Sequence, residues 1–437
     1  MPYPAGNRLS GERASKLGHL EVINSELVKN LCHSFENSEN ISVDTSKLWE
    51  PIPSGGKVLP LVFGVDGSFQ AIKSDTQPHK ELAFVKTALL RMNSKVLSEL
   101  DRNNPNPFEL RDIMRDSALY HATVFPLRNV TLPNTSIYHA VRQIIFESVK
   151  DASLKGDVME TLKWIVFEKW DGQEKHLPKF GCPHCEDVVA TLEFDAEEGK
   201  CSSCGGHLYL TDMLGFHLEM VPDATPQSVA TSYMNIHETL LLFTAIRYYW
   251  CNKKDVLSRC LFVKDGMLYL RAQYSKLVNP IRRFLTYARE EGYPVHLIGQ
   301  EKTGAFYDHL QTIGKDAPIG SVFIPNSDYV TCQIHQRPKQ KYPPGKDTNY
   351  GAKVLVKLNA YHQMVLNIPT GMYVENPQLS DLIGVENIFA TLPSILSYRY
   401  EGALLPIELA NGIASLSTYP SAKALKMFAE DGINSSV

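Results

Sequence analysis

The sequence predicts an α/β fold, a mixed sheet flanked by helices, with a zinc ribbon inserted into it. Two apolar runs of strand type, Lys57–Val65 and Arg259–Lys264, are each followed by Asp-Gly, a dipeptide that lets the chain turn. Amphipathic helical patterns alternate with strand candidates along the chain. Two Cys-x-x-Cys pairs interrupt this alternation between residues 178 and 212, which indicates an insertion and not a tail.

The other elements follow from apolar periodicity and from the Gly, Pro and Ser residues at their borders. Residues 1–18 are expected to be disordered or loosely attached, and a helix is predicted over Leu20–Phe35, where apolar residues recur on one face. The other predicted strands are Phe69–Ile72, Ala122–Leu127, Val295–Gly299, Ala352–Val356 and Tyr361–Ile368, of which the last two form a hairpin. The other predicted helices are Lys80–Met92, Ser136–Lys150, Asp157–Phe167, Ser232–Trp250, Ser275–Glu291, a segment ending near Ile313, Ser380–Ile383 and Ile407–Leu416.

The two cysteine pairs have the spacing of a zinc ribbon. Cys182 and Cys185 form one pair, Cys201 and Cys204 form the other, and the fifteen residues 186–200 separate them. Each pair can deliver two thiolates to one side of a tetrahedral Zn²⁺, and the segment between them suits a hairpin. Four thiolates close the coordination shell, so the zinc is expected to be structural and the nearby histidines, His184 and His207, to be surface residues. The alternative to a zinc site is that each cysteine pair forms a redox-active couple. The isolated cysteines are interpreted as small, mostly buried apolar residues: Cys32, Cys251, Cys260 and Cys332.

Length and composition are those of a globular protein of two or three domains, with 437 residues, 43% of them hydrophobic and 21% charged. The net charge of −4 argues against a wholly basic protein that coats nucleic acid, although the segment 336–341 is either a local basic groove or a solvated loop. The sequence shows no signal-peptide pattern and no apolar stretch that would span a bilayer, so we expect a cytoplasmic protein with no membrane contact. The predicted regions are an N-terminal helical and linker region, 1–56; a main domain in two parts, 57–177 and 213–437; and the ribbon, 178–212.

Two aspartates at the ends of neighbouring strands would form a metal site. Asp66 and Asp265 carry oxygen ligands of the kind that Mg²⁺ and Mn²⁺ prefer. Two such ions, about 3.5 to 4 Å apart, can activate a water and stabilise the leaving oxygen in phosphodiester cleavage. A third carboxylate is then expected, and Glu238 on the helix before the second strand is the candidate. The alternatives are a plain turn at each Asp-Gly and a solvated helix carboxylate at Glu238.

Several of these motifs, taken in order, resemble the NurA family of DNA-end-processing nucleases. They are Val65-Asp66-Gly67-Ser68, Phe262-Val263-Lys264-Asp265-Gly266, the strand and turn from Leu297 to Thr303, and Val354-Leu355-Val356-Lys357-Leu358. Tyr209-Leu210-Thr211-Asp212, after the ribbon, resembles members that carry a zinc ribbon. The resemblance spans residues 57–416. It implies an RNase H-like fold, a manganese-dependent nuclease acting on single-stranded and duplex DNA ends, a homodimer, and partnership with a hexameric HerA-type ATPase in DNA repair or anti-phage defence.

The resemblance also implies roles for five residues. Asp66 and Asp265 match metal-binding aspartates, Glu238 matches an acidic helix residue, and Lys302 matches a lysine near the scissile phosphate. Asn411 stands where family members tend to carry a histidine, and an asparagine can orient a phosphate or water but cannot donate a proton as a general acid at neutral pH.

Two functions therefore remain open. The first is a metal-dependent DNA nuclease, favoured by the two Asp-Gly motifs. The second is a catalytically weakened subunit that binds DNA or serves assembly, favoured by Asn411. An ATPase or dinucleotide enzyme is poorly supported because neither G-x-x-x-x-G-K-[ST] nor G-x-G-x-x-G occurs, so any translocation must come from a partner.

Overall fold

The computed structural model describes most of the chain in two units, Met1–Lys47 and Leu48–Val437. The described residues are 18–35, 45–75, 77–93, 118–154, 157–172, 177–185, 189–221, 224–338, 342–397, 399, 402–417 and 421–434. Residues 1–17 of the segment predicted to be disordered, and residues 339–341 of the basic segment 336–341, lie outside them. The first unit contains the helices α1 (Gly18–Asn24) and α2 (Glu26–Ser34). The single helix predicted here is broken at Ser25, because the Ser25 side chain caps α2 by accepting a hydrogen bond from the Val28 N–H.

The second unit is built on a mixed sheet of nine strands. Its strands, in chain order, are β1 (Glu50–Pro51), β2 (Leu61–Lys73), β3 (Glu81–Asn93), β4 (Ala118–Arg128), β9 (Cys260–Asp265), β10 (His296–Glu301), β11 (Ser321–Phe323), β12 (Ala352–Lys357) and β13 (Gln363–Ile368). The order across the sheet is β1-β11-β12-β13-β10-β9-β2-β3-β4. Strands β2, β9 and β10 are parallel to one another, and every other neighbouring pair is antiparallel. The predicted α/β class with a large mixed sheet is confirmed.

Helices cover both faces of this sheet. They are α3 (Ile137–Val149), α4 (Asp157–Val166), α5 (Gln227–Asn252), α6 (Lys254–Leu257), α7 (Val278–Glu290), α8 (Ala305–Ile313), α9 (Ser327–Tyr329), α10 (Val385–Thr391), α11 (Leu405–Ala414) and α12 (Ser421–Asn434). Short 3₁₀ helices occupy Thr45–Leu48, Ala152–Leu154, Lys169–Asp171, Leu210–Leu214, Phe216–Glu219, Ala272–Leu277, Leu379–Asp381 and Leu392–Ser394, and a π-helical turn occupies Val330–Ile334. Among the described residues, no helix is both long and apolar enough to cross a membrane.

Alternate residues of β2 face two different helices. A Cβ on Gly64 would lie 2.5 Å from the Pro406 carbonyl oxygen, so α11 lies directly on that face of the strand. A Cβ on Gly67 would lie 2.6 Å from Met234 Cγ, so α5 covers the other face. Positions 64 and 67 are an odd number of residues apart, and side chains alternate along a strand. Even-numbered residues of β2 in this region therefore face α11, and odd-numbered residues face α5.

The helix predicted over Lys80–Met92 is wrong, and so is the turn predicted at Asp66-Gly67-Ser68, whereas Phe69–Ile72 is a paired strand as predicted. Strand β2 continues through Asp66 and Gly67, which pair with Ala88 and Thr87, and residues 69–72 are its second half. Strand β3 occupies the predicted helix and pairs along its length with β2 and β4. Its Glu, Leu, Ala, Lys and Met residues favour a helix only weakly, and pairing on both edges outweighs that preference.

Several smaller elements differ from the sequence prediction. The helix predicted over Ser380–Ile383 is only a 3₁₀ turn, Leu379–Asp381, while α10 and α12 carry no prediction. Strands β1 and β11 are two and three residues long, too short for an apolar alternation to be visible.

Candidate active site and zinc centre

The zinc ribbon consists of two short hairpins, each of which carries one cysteine pair. Strands β5 (Lys179–Gly181) and β6 (Val189–Thr191) form the first hairpin, and β7 (Glu198–Lys200) and β8 (His207–Tyr209) form the second. Cys182 and Cys201 follow directly after β5 and β7.

The four thiols converge on one point. The Sγ atoms of Cys182 and Cys204 are 3.8 Å apart, as are those of Cys185 and Cys201, and all four lie within 4.8 Å of one another. A tetrahedral zinc with Zn–S bonds of about 2.3 Å requires S–S edges of about 3.8 Å. The cluster therefore fits a zinc ion with four thiolate ligands.

A buried ion pair joins the ribbon to α3. Arg142 Nε and Nη2 donate to the two carboxylate oxygens of Asp212, both at 2.8 Å, and the two side chains are 4% and 2% exposed. Arg142 Nη2 also donates to the His207 carbonyl at 2.9 Å, and Asp212 accepts from the Tyr209 N–H at 2.8 Å. His184 is exposed, as predicted, and its ring stacks on that of His139 with centroids 5.1 Å apart. Arg142 carries no sequence signal, because its partner is 70 residues away.

Asp66 and Asp265 lie side by side on one face of the sheet. Val65 of β2 pairs in register with Lys264 of β9, so the two aspartates are the next residues of adjacent parallel strands. Residues in register on neighbouring strands direct their side chains to the same face. Because Asp66 is even-numbered, this face is the one that α11 covers. The parallel pairing ends at this point, which leaves the Asp66 and Asp265 side chains at its open end.

Glu238 reaches the same end of the sheet from the opposite face. It is on α5, and a Cβ on Gly67 would lie 2.5 Å from its Oε1 atom. Its Oε2 atom accepts a hydrogen bond from Lys264 Nζ at 2.7 Å, and Lys264 also donates to the Asp265 carbonyl at 3.1 Å. Glu238 and Lys264 are 4% and 1% exposed. Lys264 is not among the predicted site residues, although a lysine inside an apolar strand is a visible signal in the sequence.

Lys302 and Asn411 approach the two aspartates. Lys302 Nζ lies 2.8 Å from Asp265 Oδ1, with both side chains about one third exposed. Asn411 is on α11, and its side-chain amide lowers the pKa of Asp66 as a hydrogen-bond partner of the carboxylate. The structure thus brings all five predicted residues to one end of the β2–β9 pair.

Asp66 is a buried carboxylate with two other carboxylates near it. Burial raises the pKa of Asp66 to about 7, the charges of Asp265 and Glu238 add to the rise, and Asn411 and Lys302 oppose it. Its Oδ1 atom accepts from the Gly67 N–H at 2.7 Å, whereas Oδ2 is buried and makes no hydrogen bond with any described residue. Burial also raises the pKa of Glu238, and Lys264 opposes that rise. A cation beside Asp66 would satisfy the unpaired oxygen and stabilise the ionised form, so the oxygen donors fit a hard divalent ion.

The three carboxylates do not form one compact ligand set. Within the described part of the chain, the four cysteines are the only group of three or more Cys, His, Asp or Glu residues whose ligand atoms all lie within 4.8 Å of one another. Asp66, Asp265 and Glu238 are therefore more widely spread than that distance. They line a cavity of about 370 Å³, together with Asn235 of α5 and Tyr269 and Arg271 from the loop after β9. A small phosphate-bearing group can enter it.

Comparison with known proteins yields only distant structural similarities. No family profile matches the chain, and no curated protein matches it. One similar solved structure is described as "Crystal structure of NurA": it is 12% identical, the match covers 95% of this chain and 97% of that one, and the TM-score is 0.29. Another, "Crystal structure of NurA with manganese", is 11% identical, with 93% and 97% covered and a TM-score of 0.26. Similarities with TM-scores this low do not indicate a function for this chain.

Proposed function

We propose that this chain is a metal-dependent nuclease that hydrolyses DNA at its ends, on an RNase H-like fold. The observation that carries the proposal is the pair Asp66 and Asp265, side by side on one sheet face with a buried, unpaired Asp66 oxygen at a cavity. What supports the fold is an antiparallel β2–β3–β4 meander that continues into the parallel strands β9 and β10, with helices on both faces.

The residues present suit phosphodiester hydrolysis. Asp66 and Asp265 would hold the ion, Mn²⁺ or Mg²⁺, and a bound ion would polarise the phosphate and lower the pKa of the attacking water. The Lys302 ammonium, now paired with Asp265 and 36% exposed, has three donors and can turn to a phosphate oxygen. The Asn411 amide can orient a phosphate or a water, while protonation of the leaving oxygen is left to solvent.

The proposal extends to partners and to the ribbon. It includes a homodimer of this chain. It also includes a hexameric HerA-type ATPase as partner, because the chain has no nucleotide-binding motif of its own to drive DNA movement. The four cysteines would hold a structural Zn²⁺ in the ribbon, and the role would be DNA repair or defence against phage. If the ATPase feeds DNA to the site, cleavage of long linear DNA should rise when the ATPase and ATP are added and fall again with a non-hydrolysable ATP analogue.

The nuclease is tested with labelled linear DNA and Mn²⁺. Wild-type protein should release nucleotides, and Asp66→Asn and Asp265→Asn should each lower the rate at least a hundredfold, which corresponds to about 2.7 kcal/mol of transition-state stabilisation. Asp308→Asn is the matched control, because Asp308 is an exposed carboxylate on α8 outside the cavity. Equal cleavage by wild type and Asp66→Asn would contradict the proposal.

The second candidate is a catalytically weakened subunit that binds DNA or serves assembly. It is favoured by Asn411, which has no ionisable group, and by the two lysines that already pair with Glu238 and Asp265. If this candidate is right, wild-type protein binds DNA ends but releases no nucleotide with or without the ATPase, and Asn411→His restores cleavage.

A further inference from the structure

The Glu238–Lys264 ion pair divides the three carboxylates into two groups. Lys264 Nζ lies 2.7 Å from Glu238 Oε2, and the two side chains are 2% and 5% exposed. Both side chains are on the α5 side of the sheet, since Lys264 is in register with the odd-numbered Val65. Asp66 and Asp265 are on the α11 side. The ion pair and the two aspartates therefore lie on opposite faces of the sheet.

The Lys264 ammonium occupies the place beside Glu238 that a metal ion would otherwise take. Its ammonium donates to the Glu238 carboxylate and to the Asp265 carbonyl at 3.1 Å. A second divalent ion on Glu238 would have to displace this ammonium. Because the Lys264 side chain is buried, the displaced charge would have to leave the protein interior or stay there unpaired.

Charge balance leads to the same result. Asp66, Asp265 and Glu238 together carry three negative charges when ionised, and Lys264 and Lys302 contribute two positive charges. One divalent ion brings this set to +1, which a single DNA phosphate neutralises. Two ions would bring it to +3 in a largely buried site, where uncompensated charge is strongly unfavourable.

We propose that this site holds one divalent cation, between Asp66 and Asp265, and that the Lys264 ammonium takes the place of a second ion at Glu238. The inference rests on the proposed function, and it specifies the metal stoichiometry of that site. Lys264 is thus a positioning residue, because it acts through Glu238.

The test is the number of Mn²⁺ ions bound by the full-length protein, measured by equilibrium dialysis and by the electron paramagnetic resonance of free Mn²⁺. Only ions lost in the double variant Asp66→Asn/Glu238→Gln are counted, which removes adventitious surface binding and leaves the zinc of the ribbon out of the count. Wild type should bind one such ion per chain. Two ions per chain, or none, would overturn the inference.

Variants of the ion pair separate its role from folding. Lys264→Met should raise the count to two because Glu238 becomes available, and Lys264→Arg, which keeps the charge, should leave it at one. Should Lys264→Met fail to fold, Glu238→Gln/Lys264→Met removes both charges together, and it should bind one ion with wild-type affinity. A folded Lys264→Met that still binds one ion, or a double variant that binds none, would overturn the role of Lys264.

DNA cleavage, measured on the same samples, distinguishes this inference from the proposed function. One bound ion without any cleavage would contradict the nuclease and leave the stoichiometry standing. Two bound ions with cleavage would contradict only the stoichiometry.

Discussion

The buried pair Arg142–Asp212 offers the sharpest test of how the ribbon is held to the body of the protein. Asp212 accepts three hydrogen bonds of 2.8 Å, two from the Arg142 guanidinium and one from the Tyr209 N–H. Asp212→Ala removes all three and leaves the guanidinium, 4% exposed, without a counter-charge. Breaking a buried pair in this way costs about 3–5 kcal/mol of unfolding free energy.

The double variant Arg142→Met/Asp212→Leu should be less destabilised than the single one, because no charge is left buried. The His207 carbonyl loses Arg142 but keeps its hydrogen bond to His184 Nε2 at 2.9 Å. The half-buried His139 Nδ1 loses the hydrogen bond it accepts from Arg142 Nη1 at 2.9 Å. The Tyr209 N–H loses its partner as well, and an unsatisfied buried donor costs about 1–3 kcal/mol. We therefore expect a cost of about 3–5 kcal/mol for the single variant and about 1–3 kcal/mol for the double one.

The assay is urea unfolding followed by tryptophan fluorescence, with zinc release by a chromogenic chelator recorded in parallel. The matched control is Lys426→Met, which breaks an exposed pair with Asp75 whose side chains are 43% and 82% exposed. Pairs of this kind contribute about 0–1 kcal/mol. A double variant at least as destabilised as Asp212→Ala, or a loss from Asp212→Ala no larger than the control's, would refute the reasoning.

Three further predictions concern glycine packing, zinc and pH. Gly64→Ala should cost more unfolding free energy than Gly67→Ala. A Cβ at position 64 would lie 2.5 Å from the Pro406 backbone oxygen, whereas a Cβ at position 67 would meet side chains, which can move more easily than backbone. Overpacking of this kind costs about 1–3 kcal/mol. Urea midpoints decide the order, and the reverse order would contradict the packing. Cys204→Ser should abolish the binding of one zinc per chain, measured by atomic emission, whereas the exposed Cys251→Ser should keep it; zinc retained in Cys204→Ser would exclude the four-thiolate centre. Burial lowers the pKa of His296 to about 4, so the folded protein binds fewer protons there than the unfolded chain, and the stability present above pH 6.5 should fall by about 3 kcal/mol as the pH drops towards 4. In His296→Gln this part of the slope should disappear, and an unchanged slope would show that His296 does not contribute to it.

The parts of the fold that were predictable from sequence are those with strong local patterns. The cysteine spacing predicts the ribbon, because a Cys-x-x-Cys turn defines the position of two thiols within four residues. Long helices such as α3 and α5 were predicted from apolar periodicity. Strand β3 was not, because its residues suit both a helix and a strand, and only pairing with β2 and β4 decides between them.

The candidate site shows the same division between local and long-range information. Its two aspartates were found through Asp-Gly, a local signal, and Glu238 through the position of its helix. The contact between Lys264 and Glu238 joins residues 26 positions apart and depends on which face of β9 meets α5. No local pattern encodes that choice, since a shift of one residue in the register of β2 and β9 would place Lys264 on the opposite face.

The position of Asp66 in its strand differs from the sequence prediction. Asp66 is not at the end of its own strand, because β2 continues to Lys73 in pairing with β3. The strand that ends is its parallel neighbour: pairing with β9 stops after Val65, and β9 itself ends at Asp265. From that point β2 has a partner on one edge only, and the other edge opens into the cavity. Gly67 then leaves room for Glu238 on the α5 face, since a Cβ at this position would lie 2.5 Å from the Glu238 Oε1 atom. The Asp-Gly of β2 therefore serves as an opening beside a strand that continues, and the Asp-Gly of β9 as the end of a strand. The same dipeptide produces one site through two different local structures.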